Sequence, residues 1–90
     1  LPPSQPEIVR TVERLGGKVY PRPDGMGITL AGTPATDATL SVARHLKNLA
    51  ALNLTRTRVT DQGLRELRSL DNLRSLYLDN TGVGDAGLKE

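Results

Sequence analysis

The sequence predicts an α/β solenoid, and three observations carry that expectation. Residues 48–64 read NLAALNLTRTRVTDQGL and residues 72–88 read NLRSLYLDNTGVGDAGL, a duplication at an offset of 24 residues. A fainter copy, GITLAGTPATDATL, lies one period upstream at residues 27–40. Leucines every third residue from Leu64 to Leu76 then give way to alternation at Leu76-Tyr77-Leu78, which is strand periodicity. Similarity at a fixed period of this size predicts units that bury their apolar faces against their neighbours.

Each unit divides in three. A short strand is expected near residues 27–30, 51–54 and 75–78, with Ile28, Leu30, Leu52, Leu54, Leu76 and Leu78 pointing inward. A turn follows, carrying Thr33, Thr57 and Thr81, whose hydroxyls can satisfy turn backbone by donating and accepting. A short helix then begins near Asp37, Asp61 and Asp85, where a carboxylate can cap the free amides of a first turn. The unit boundaries are 27–50, 51–74 and 75–90, the last truncated. The chain stops inside its third copy, so a piece of a longer protein is expected.

The phrase Thr57-Arg58-Val59-Thr60-Asp61-Gln62-Gly63-Leu64, completed by Leu67, returns as Thr81-Gly82-Val83-Gly84-Asp85-Ala86-Gly87-Leu88. It resembles the leucine-rich repeat family at its LxxLxLxxT core. It is most similar to the bacterial variant TxVTDxGLxxL, related to the cysteine-containing subclass. The resemblance covers residues 27–90. It implies parallel strands on a concave face, helices on a convex face, and threonine where the commonest repeats stack an asparagine. It also implies a non-enzymatic protein–protein interaction or recognition module. A structural spacer in a multidomain protein and a substrate-adaptor repeat region are the alternatives.

Residues 1–26 do not repeat and read as an N-terminal cap. Ser4, Pro6 and Glu7 form a helix start, with serine and glutamate spaced as a capping box requires. Ile8, Val12 and Leu15 make one stripe of a helix over about residues 5–15, which Gly16-Gly17 ends. A short strand is expected at 18–20 and a turn at 21–25, where Pro, Asp and Gly favour a bend.

Composition narrows the function. The net charge is +2, and there is no cysteine and a single histidine, His45. That excludes thiolate chemistry and disulfides and gives general-base or metal roles little support. No catalytic, metal-binding or cofactor-binding residue is therefore assigned, and an enzyme is not expected. Asp37, Asp61 and Asp85 would form a surface ladder spaced by about 5 Å rather than converge on a cleft. Tyr20 and Tyr77 are the only aromatic residues, too few for a nucleic-acid stacking platform. The arginines Arg44, Arg65 and Arg68 are read as a solvated helical side, so no nucleic acid is expected. No apolar run approaches spanning length and no leader is visible, so a cytoplasmic location is favoured and no membrane contact is expected. The candidate partner-binding surface is the outward side of the strands: Thr29, Asn53, Thr55, Ser75, Tyr77 and Asp79. The expected partner is another protein, and the sequence sets no oligomeric state.

Overall fold

A computed structural model describes residues 4–81. Helix α1 (Gln5–Arg14) starts behind Ser4 with proline in its first turn, and Ser4 Oγ donates to Glu7 Oε1 at 3.3 Å. Ile8 and Val12, four residues apart, put their side chains into the core. Strand β1 (Lys18–Arg22) follows and turns at Pro23-Asp24 into β2 (Gly25–Thr29). Next come α2 (Asp37–Ala43), β3 (Leu49–Asn53) and α3 (Asp61–Arg65). A 3₁₀ turn (Glu66–Ser69) continues α3, and β4 (Ser75–Tyr77) is the last described strand.

The four strands form one sheet in the order β1-β2-β3-β4. β1 and β2 are an antiparallel hairpin, whereas β2, β3 and β4 run parallel. Rows cross the sheet in register: Lys18–Thr29–Asn53–Tyr77, then Val19–Ile28–Leu52–Leu76, then Tyr20–Gly27–Ala51–Ser75. Alternation sends the middle row to one face and the rows on either side of it to the other. On the inner face Ile28, Leu30, Leu49, Leu52 and Leu54 are fully buried. They pack on Ile8 and Val12 of α1, Leu40 and Ala43 of α2, and Leu64, Leu67 and Leu70 from α3 onward. All three helices bury their apolar residues in this one core.

The duplication is visible in the turns. Thr33 Oγ1 donates to Leu30 O at 2.6 Å, Thr57 Oγ1 to Leu54 O at 2.7 Å, and Thr81 Oγ1 to Leu78 O at 2.8 Å. One residue before each threonine the chain takes a left-handed conformation, at Gly32, Arg56 and Asn80. Repetition does not, however, produce the expected architecture. The expected leucine-rich repeat solenoid, with its curved all-parallel array, is replaced by a single α/β domain, 32 × 28 × 25 Å overall, with a mixed, open, uncurled sheet. The physical reason is β1. Residues read as a cap pair along the whole of β2, and the boundary set at residue 26 falls inside that strand. An antiparallel hairpin and two parallel additions then enclose one core.

The helix starts also differ from expectation. The N-caps are Thr36 and Thr60, and Asp37 and Asp61 are the first helical residues. Asp37 reaches across to the next helix start instead. Its Oδ1 accepts from Thr60 N at 2.7 Å and its Oδ2 from Thr60 Oγ1 at 2.5 Å. Its carboxylate lies so close over Gly63 that a Cβ there would collide with it. One acidic group thus ties α2 to α3 while remaining near its own helix's positive end. The cap expected at Asp85 lies outside the described residues.

Candidate functional site

The face of the sheet away from the helices is the candidate site. Alternation places Lys18 and Tyr20 of β1, Gly27 and Thr29 of β2, Ala51 and Asn53 of β3, and Ser75 and Tyr77 of β4 on it. Small and polar residues fill these positions because no described helix packs there to reward apolar ones. The structure brings Thr29, Asn53, Ser75 and Tyr77 together on this face. It places Thr55 and Asp79 just beyond the strand ends, in the turns. There Thr55 O accepts from Gly32 N at 2.9 Å and Asp79 O from Arg56 N at 2.8 Å.

Tyr20 and Tyr77 are the exposed large hydrophobic side chains of the described residues, at 38% and 55% exposure. Both lie on this face. The Tyr20 ring covers Gly27, where any Cβ would collide with it. That close approach explains the glycine. Sequence reasoning assigned β1 to a cap and so missed Lys18 and Tyr20. The strand periodicity of Lys18-Val19-Tyr20 is visible in the sequence, but only the pairing of β1 with β2 puts these two side chains on the face.

Asn53 is held in place at the centre of the outer row. Its Oδ1 accepts from Thr55 N at 3.0 Å, an Asx turn that leaves the Nδ2 amide as the donor available to a ligand. At the strand starts, Arg22 grips Asp24 with Nε and Nη2 at 2.8 and 3.0 Å. The hydrogen bond from Arg22 is the leading reason the Asp24 carboxyl lies below the usual carboxylate range, and the nearby Arg74 charge adds to it. Asn72 Nδ2 donates to Asp24 O at 2.8 Å, locking this hairpin turn to the segment before β4.

Elsewhere the chemistry is sparse. His45 is half-buried just after α2. Arg44 Nε lies 3.0 Å from Glu66 Oε2, an ion pair by distance whose angle is not that of a hydrogen bond. A shallow depression between α1 and α2, lined by Thr11, Arg14, Leu15, Ala38, Thr39 and Val42, measures about 250 Å³ and is mainly apolar. Among the described residues, no group of three or more His, Asp or Glu is arranged to hold a metal, and no helix is long and apolar enough to cross a membrane.

Compared with known proteins, the chain matches no family model, and no curated protein or solved structure is similar to it at a significant level. The mixed, open sheet argues against the expected recognition module of leucine-rich repeat type.

Proposed function

We propose that this domain is a non-catalytic binding domain that holds a polypeptide partner on the open face of its sheet. One observation carries the reading. Three consecutive parallel strands, β2 to β4, have one face covered by helices and the other left without any described helix. Parallel sheets are ordinarily covered on both faces. On this open face stand both of the chain's tyrosines, and tyrosine combines a rigid apolar body with a polar tip suited to anchoring a partner. Between and beside them, Thr29, Asn53 and Ser75 supply hydrogen-bonding groups on short side chains that let a partner approach the backbone.

The test is a selection from a random 12-residue peptide library displayed on phage, with wild type and Tyr77→Ala as parallel baits. Peptides enriched on wild type should bind Tyr77→Ala at least about 10-fold more weakly, the loss typical of an aromatic anchor. A library that yields no enriched peptide, or peptides that bind both proteins equally, contradicts the reading.

A further inference from the structure

Beyond the open face, we infer that the β4 edge of the sheet takes up an extended segment of a partner protein as a further parallel strand, one carrying leucine-class side chains two residues apart. The two edges of the sheet are built differently. β1 carries Pro21, which has no N–H to offer another strand, between the charged Lys18 and Arg22. Proline and charge are ordinary means of blunting an edge. β4, Ser-Leu-Tyr, carries neither.

The backbone ladder shows what an added strand would meet. Leu30 N donates to Asn53 O at 2.8 Å and Gly32 N to Thr55 O at 2.9 Å. One period later Leu54 N donates to Tyr77 O at 2.9 Å and Arg56 N to Asp79 O at 2.8 Å. The next positions in this series are Leu78 and Asn80, whose amides have no acceptor among the described residues. Asn80 already holds the left-handed backbone of Gly32 and Arg56. On the inner face, Leu49, Leu52 and Leu54 beside β4 are fully buried, whereas their equivalents Leu73, Leu76 and Leu78 are only partly so. The edge thus presents unpaired donors and an unfinished apolar strip in the spacing that β3 presents to β4. What covers β3 identifies the chemistry of the occupant: β4 sets Leu76 level with Leu52 and places Leu78 two residues on. In strand addition the main-chain bonds supply affinity and alternate side chains supply specificity.

The probe is a labelled synthetic peptide NLRSLYLDNT, the sequence of residues 72–81, titrated by fluorescence polarisation against the full chain. In a strand the N–H and C=O of one residue point to one side and those of the next to the other. Tyr77 O faces β3, so the peptide's tyrosine amide should face β4 and the amide of the leucine after it should face away. N-methylation of the tyrosine amide should weaken binding by about 10-fold or more, the cost of leaving a strand partner unpaired. N-methylation of that leucine amide should change it by less than about 3-fold. The exchanged pattern would overturn the parallel arrangement, and no binding at about 1 mM would overturn the edge site. Leu78→Glu, checked for folding by urea unfolding, should weaken binding by about 10-fold by placing a charge in the apolar strip. Tighter binding to Leu78→Glu would show the peptide replacing β4 rather than adding to it, and would overturn the inference. A wild-type dimer in sedimentation that Leu78→Glu abolishes would overturn the choice of a partner protein in favour of a second copy. None of these arms uses the phage-selected peptides, so the edge and the open face fail separately.

Discussion

The two faces of this sheet share strands, register and repeat, and differ in what covers them. Leu52 and Asn53 are neighbours on β3, yet Leu52 is fully buried and Asn53 is half-exposed beside Tyr77. The inner face is closed by three helices and owes its residues to packing. The outer face meets water and owes its residues to something else. On the proposed reading, the residues that stabilise the fold and those that would meet a partner are separated by a single residue step along each strand. A substitution should therefore affect one and spare the other.

The largest break in this contrast should come from the inner face. Leu52→Ala should cost about 3–4 kcal/mol in urea unfolding, because a fully buried leucine leaves a cavity that its neighbours cannot fill. Gly63→Ala should follow at about 2–3 kcal/mol, since its methyl must displace the Asp37 carboxylate. The same denaturation measurement checks it. Leu76→Ala, at the equivalent position one strand later, should cost only about 1–2 kcal/mol. Leu76 is only partly buried, packed against the core rather than enclosed in it. Equal losses at Leu52 and Leu76 would show that position in the sheet does not set the value of the repeat. Asp37→Ala should cost about 1 kcal/mol by leaving Thr60 without its carboxylate partner. Smallest of all, Tyr77→Ala should change stability by less than about 0.5 kcal/mol, as an exposed residue does away from special contacts.

Part of this was legible in the sequence. The offset between Leu52 and Leu76 gave the parallel register directly, because a fixed period stacks equivalent residues side by side. The threonine turns were equally visible, since a hydroxyl at one spacing finds the same carbonyl each time. The overall architecture was not legible, because it depends on Lys18–Arg22, which lie outside the repeat. Five residues of short alternation next to prolines can end a chain or join a sheet, and only pairing partners decide between them. Asp37 misled for a related reason. An acidic residue at a helix start satisfies the same local rule whether it caps its own amides or reaches a neighbouring helix, and the bond to Thr60 is a tertiary fact. Arg56 carries no local sign of its left-handed backbone, which becomes apparent only beside Gly32 and Asn80 one period to either side. For the candidate site, the repeat located Thr29, Asn53, Ser75 and Tyr77, whereas Lys18 and Tyr20 required knowledge of the hairpin.

The central claim is that the open face binds and the closed face folds. Its most direct test is the affinity of Tyr77→Ala for the best selected peptide, measured by titration calorimetry on protein shown by urea unfolding to be as stable as wild type. The account predicts a loss of about 10-fold or more at unchanged stability. Wild-type affinity at unchanged stability would contradict it.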